Sequence, residues 1–211
     1  MRTFYPIVAD LAGKRCLVVG GGRVAERKVG GLLEASAAVA VVSPLISDTI
    51  AAWEAEGRVT VVRREYTEGD AAGASLVFAA TDKREVNERV YAEAVARALP
   101  VNVADRPDLC TFVVPAVIRS GPLLVTVSTS GTSPMASARI RDRIEESLGE
   151  GLDRFLEFTA EYRLSVHNKV SDPGLRRKLL AELFSDEALD AVKAGDWESF
   201  RSRMLAQLNE A

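Results

Sequence analysis

Apolar residues come in short unbroken runs through the first half of the chain and in helical stripes through its last third. "RCLVVG" (15–20), "AVAVVS" (38–43), "VTVVRR" (59–64), "SLVFAA" (75–80) and "PVNVA" (100–104) read as strands. Most lack the alternation of a sheet wetted on one face, which predicts parallel strands covered on both sides. Residues 24–34, 46–56 and 84–99 carry helical spacing, the last placing Val86, Val90, Tyr91, Ala94 and Val95 on one face. Strands alternating with helices predict right-handed crossovers and a doubly wound parallel α/β sheet.

After Pro107 the rhythm changes. "CTFVVPAVIRSGPLLVTVSTSG" (110–131) predicts two strands joined around Ser120-Gly121-Pro122, a hairpin with no helix inside. A helix follows, with Ser133 as its N-cap and Pro134 at its first position. From about 150 the pattern is helical, broken at Asp172-Pro173 and Gly195. Three parts result: a nucleotide-type domain over 1–112, a β-plus-helix segment over 113–149 and a helical domain over 150–211.

Composition adds mainly exclusions. The 211 residues are 47% hydrophobic and 27% charged, ordinary for a chain with a real core. A net charge of −3 argues against a nucleic-acid partner, which needs clustered Lys and Arg. No stretch approaches the roughly 20 apolar residues that span a bilayer, and "MRTFYPIVADLAGK" lacks a signal peptide's apolar core. The expectation is a cytoplasmic protein with no membrane contact. Cys16 and Cys110 make neither a disulfide framework nor a zinc motif, and His167 is the single histidine, so no metal site is expected.

The first strand breaks into "GGGRVAERK" (20–28). Gly20-x-Gly22-x-x-Ala25, between a strand and a helix, fits the dinucleotide fingerprint of a Rossmann-type domain. Gly20 permits the tight turn, Gly22 lets main chain approach a pyrophosphate, and Ala25 allows close packing. Arg23 and Val24 open the helix whose N-terminus would hold the phosphates. The second strand ends in Ser43-Pro44-Leu45 where an Asp or Glu usually grips the ribose. Either the Ser43 hydroxyl or the backbone of 43–45 takes that part. Arg23 either favours a 2′-phosphate or is simply solvated. Thr81 and Asp82 lie at the same carboxyl edge, Asp82 reading first as a cap for the 84–99 helix.

A second group follows. Asp105, just past the fifth strand, is either a base beside a nicotinamide ring or an Asx-turn residue before Pro107. Ser128, Thr129, Ser130, Gly131 and Thr132 form a polar turn into a helix, either an anion cradle or a capped start. Arg139 and Arg143 share a helix face suited to a polyanion, while Arg141 has Glu145 as a surface partner.

Together "GGGRVAERK" (20–28), "AATD" (79–82), "NVADRP" (102–107), "VVPAVI" (113–118) and "STSGTSP" (128–134) resemble, in order and spacing, the precorrin-2 dehydrogenase/sirohydrochlorin ferrochelatase family. That module forms the N-terminus of bacterial siroheme synthases, and the resemblance spans roughly residues 4–148. It implies NAD-dependent oxidation of precorrin-2 to sirohydrochlorin and a homodimer built through the middle segment. In some members it implies insertion of Fe2+ or Co2+ as chelation substrate. By the same matching Asp105 falls on the family's key carboxylate, and Thr129 stands where some members carry serine. A polycarboxylate tetrapyrrole would suit N–H cradles and arginines. Two rivals remain: a non-catalytic NAD(H)-sensing domain, and another small-molecule dehydrogenase, which would usually bring a His or Lys for carbonyl chemistry.

Overall fold

A computed structural model describes residues 3–149 and 151–210, which form two compact units divided between Val114 and Pro115. The first holds β1 (Arg15–Val19), α1 (Arg23–Glu34), β2 (Ala38–Val42), α2 (Asp48–Ala55), β3 (Val59–Val62), β4 (Leu76–Ala79), α3 (Arg84–Ala96) and β5 (Val101–Val103). All five strands pair in parallel, in the order β3-β2-β1-β4-β5. Strand order reverses between β1 and β4, which opens a crevice at the carboxyl edge.

The unbroken apolar runs have a direct cause. Along β1, Cys16 and Val18 enter a core with Val29 of α1, Val39 and Val41 of β2, and Ile50 of α2. Leu17 and Val19 point the other way, to Val77, Val90, Val101 and Val103 on the α3 side. Each fully buried aliphatic side chain contributes about 1.5–3 kcal/mol, so neither face tolerates a polar residue.

The crossover from β3 to β4 has no helix, and α3 supplies its polar support instead. Buried Glu93 accepts from the Tyr66 hydroxyl, the Gly69 N–H (3.0 Å) and Arg97 (2.8 Å). Val90 and Ala94 are fully buried as expected, but Val95 is nearly half exposed; Asn87 and Glu93 take the buried positions because the bare loop needs partners. Burial raises the Glu93 pKa, yet Tyr66, Gly69 and Arg97 outweigh it and hold the carboxyl below its ordinary value. With its folded pKa depressed, Glu93 stabilises fully above the unfolded value of about 4.3, and that contribution is lost as pH falls through the folded value. Glu93→Ala is expected to destabilise the protein by about 2–3 kcal/mol, leaving buried donors unmet. In Glu93→Gln the acid-side fall in Tm becomes shallower than in the wild type, as thermal melts across the acid range would record.

The second unit opens with an antiparallel hairpin, β6 (Ala116–Ser120) and β7 (Leu123–Val127), turned through Gly121 at φ +54°. Then come α4 (Pro134–Leu148), α5 (Leu152–Lys169), α6 (Pro173–Glu182), α7 (Asp186–Ala194) and α8 (Trp197–Glu210). The helix breaks follow their sequence signals: Ser133 caps the Ala136 N–H, Asp172 caps that of Leu175, and left-handed Gly195 ends α7. Ser185 makes a further cap that the sequence reading passes over. Phe155, Tyr162, Val166, Leu183 and Met204 are the buried centre of this unit. His167 lies exposed in the last turn of α5. Arg141 pairs with adjacent Asp142 instead of Glu145, because that carboxylate is the nearer one.

Candidate active site

The carboxyl edge of the first unit's sheet holds a cavity of about 650 Å³. Its floor is the glycine turn. Gly20 has φ +119°, and a Cβ there would lie 2.3 Å from the Ala80 carbonyl oxygen. At Gly21 a Cβ would lie 2.0 Å from the Leu45 oxygen, and the Gly21 carbonyl accepts from the Ser47 N–H at 2.8 Å. Gly21 therefore lets the loop after β2 pass close against the turn, a contact the fingerprint does not reveal. Gly22 differs: a Cβ there meets nothing within 4 Å.

Gly22 is also the N-cap of α1 and has no side chain to close the helix. The first-turn acid, Glu26, accepts from the Ser47 hydroxyl at 2.7 Å and so serves the start of α2. The opening N–H groups of α1 are thus left uncapped beside open space, with the helix dipole behind them. That combination fits a pyrophosphate. Open space at Gly22 is what a dinucleotide requires, and the residues present fit NAD.

The other expected cofactor contacts line the same cavity: Gly20, Arg23, Val24, Ser43, Pro44, Leu45 and Thr81. Their hydrogen bonds refine the roles. Ser43 is buried and its hydroxyl donates to the Leu45 carbonyl at 2.6 Å, which leaves loop backbone to face the cleft. The Thr81 hydroxyl is engaged with the Lys83 carbonyl and with buried Asn87 Oδ1, whose amide nitrogen returns a bond to the Thr81 carbonyl. Asn87 thus pins the loop after β4, a part the helical pattern alone does not disclose. Asp82 caps nothing: the N-cap of α3 is Lys83, and Asp82 lies on the cavity wall.

Asp105 lines the cavity from the β5 end. It sits in the left-handed region at φ +58°, exposed, and its carboxylate has no hydrogen bond or ion pair among the described residues. Neighbouring Arg106 turns away to Asp108 (2.6 Å) and Glu88 (3.2 Å). The Asx-turn alternative is therefore not realised. Asp105 thus places a carboxylate with no counter-ion among the described residues at the cavity edge.

Glu65, Tyr66 and Lys83 also line the cavity, and sequence periodicity could not flag them because they lie between elements. The Glu65 carboxylate bonds Lys83 at 2.6 Å and raises that ammonium's pKa.

The remaining expected residues belong to the second unit. In the turn after β7, the Thr129 hydroxyl bonds the Ser133 N–H and carbonyl, and the Ser128 hydroxyl accepts from Ser130 N–H. The Thr132 N–H goes to the Thr129 carbonyl. The loop thus meets several of its own N–H groups, as a capped helix start does, with Ser130 and Gly131 left-handed at its exposed tip. On α4, Arg139 and Arg143 line one cleft of about 510 Å³ together with Asp142 and Glu146.

Comparison with known proteins adds three family matches. Residues 7–116 match an NAD(P)-binding family, 120–147 the sirohaem biosynthesis protein central region, and 151–208 the sirohaem synthase dimerisation region. The dimerisation description thus falls after the 113–149 segment to which the sequence reading gives that role. The siroheme synthase of Methylobacillus flagellatus is 42% identical over 97% of this chain, and that of Nitrosococcus oceani 33% identical over 97%. The chain spans 44% of the length of each. Among solved structures, SirC, a precorrin-2 dehydrogenase, aligns with a TM-score of 0.83 at 30% identity, covering 99% of this chain and 100% of its own.

Proposed function

The chain belongs to the sirohaem synthase/precorrin-2 dehydrogenase family, and from that premise we propose that it oxidises precorrin-2 to sirohydrochlorin with NAD. The observation that carries the proposal is a single cavity holding both an uncapped glycine-lined helix start and a carboxylate without a partner among the described residues. NAD supplies a ring that accepts hydride. Main chain at Gly22, Arg23 and Val24 would hold its pyrophosphate over the turn at Gly20, whose own N–H is bonded to the Val42 carbonyl, and Ser43–Leu45 and Thr81 would border its nucleosides. Asp105 takes the proton that leaves precorrin-2 with the hydride, so two hydrogens go out as hydride and H+.

Arg139, with Arg143 on the same face of α4, and the exposed tip of the 128–132 turn are the substrate contacts, suited to acidic side chains of the tetrapyrrole. The match of 151–208 to a dimerisation region supports a homodimer. We place the enzyme in the cytoplasm; among the described residues no helix is long and apolar enough to cross a membrane. Asp105 would also serve metal insertion, by accepting pyrrole protons as Fe2+ or Co2+ enters sirohydrochlorin.

The test is an anaerobic two-stage assay on the purified chain. Precorrin-2 with NAD should give the sirohydrochlorin spectrum and an equal amount of NADH; absence of both overturns the proposal. Sirohydrochlorin offered with Fe2+ or Co2+ then reads insertion by itself.

A further inference from the structure

The cavity lacks an acid where β2 ends, yet carries one from the next strand over. Ser43 N–H bonds the Val62 carbonyl at 3.2 Å, so the ends of β2 and β3 lie side by side. The chain turns sharply after β3, Arg64 N–H bonding back to Val62, and Glu65 comes to the cavity wall. Its backbone is fixed on both sides. Arg64 holds Asp70 at 2.7 and 2.8 Å and the Glu65 carbonyl at 3.0 Å, while Tyr66 is buried and anchored on Glu93.

Three of the cations near this edge are occupied, while exposed Arg23, at the start of α1, has no ion pair among the described residues. Arg63, at the end of β3, is bound bidentately by Glu54 (2.8 and 2.5 Å), Arg64 by Asp70, and Lys83 by Glu65. These are side chains of the kind a 2′-phosphate would recruit. Of the three pairs only Lys83–Glu65 lines the cavity. The lining carries three carboxylates, Glu65, Asp82 and Asp105, against two cations, Arg23 and Lys83. A phosphate of nearly two negative charges meets an unfavourable field there.

Resting on the reading that this cleft holds a dinucleotide, we infer that Glu65 sets the choice of NAD over NADP. It stands in for the acid missing from β2, and it neutralises Lys83, the cation that would otherwise attract a 2′-phosphate. Lys83 is the silent half of the device. Removing Glu65 turns it into a phosphate ligand.

Calorimetric titration of the substrate-free protein tests this with NAD, NADP, 5′-AMP and adenosine 2′,5′-bisphosphate. The wild type should bind NAD more tightly than NADP. In Glu65→Gln the NAD-to-NADP affinity ratio should fall by roughly tenfold or more, the size of one charge-assisted contact. The two adenosine fragments should shift in parallel. Adding Lys83→Met to Glu65→Gln should take back the gained NADP affinity, a reversal that a merely structural Glu65 would not give. A ratio within twofold of wild type in Glu65→Gln, or a wild type that binds NADP as well as NAD, overturns the inference. A wild type that binds neither dinucleotide overturns the underlying reading instead.

Discussion

Asp105→Asn is expected to lower kcat for precorrin-2 oxidation by about 10²–10⁴, the usual contribution of a positioned general base. Affinity for NAD and thermal stability should stay near wild type. Asparagine suits this test because it keeps the shape of the side chain and shares the tolerance for the left-handed backbone at φ +58°. Only the negative charge of the carboxylate is removed. The carboxylate has no bond to lose among the described residues, so a fall in Tm is not expected. Asp105→Gly sharpens the point, since glycine relieves about 1 kcal/mol of left-handed strain. That variant should be as stable as wild type or more so, and as inactive as the asparagine form. Steady-state kinetics beside thermal melts checks both, and a variant keeping half its activity would remove Asp105 from the chemistry.

A second large effect separates two adjacent glycines. Gly22→Ala places a methyl in open space, at a backbone geometry any residue adopts (φ −87°), so the fold should be unharmed. The same methyl stands where the phosphates are expected, and the Kd for NAD should rise about 10–100-fold. Gly21→Ala does the reverse. Its methyl would meet the Leu45 carbonyl at 2.0 Å, and the expected result is destabilisation by about 2–3 kcal/mol, with binding lost only as a consequence. Melting curves and NAD titrations on both variants distinguish a glycine needed for a ligand from one needed for packing.

That difference marks where sequence reading succeeds and where it stops. The central strands β1 and β4 are legible because burial on both faces forbids polar residues, and the glycine turn because strand and helix flank it. The cap at Ser133 and the break at Asp172-Pro173 are legible because their chemistry is local. What escapes is tertiary. Nothing in the spacing of "VTVVRREYTEGDAAGAS" says that the crossover to β4 lacks a helix, that Glu93 must therefore be buried, or that Glu65 turns into the cleft. Val95 fits the apolar face of α3 on paper but gives way to Asn87 and Glu93, whose partners lie on loops distant in sequence. Ser43 is found as a candidate, yet its hydroxyl proves committed to Leu45. Pattern points to a candidate site, and long-range hydrogen bonds decide which atoms in it remain available.

The most direct measurement is a crystal structure of the chain with NAD bound. The expected result is pyrophosphate oxygens within hydrogen-bond distance of the main-chain N–H groups that open α1, over Gly22, with the nicotinamide on the Asp105 side. A diphosphate lodged elsewhere, or a cleft still vacant at saturating NAD, would contradict the account.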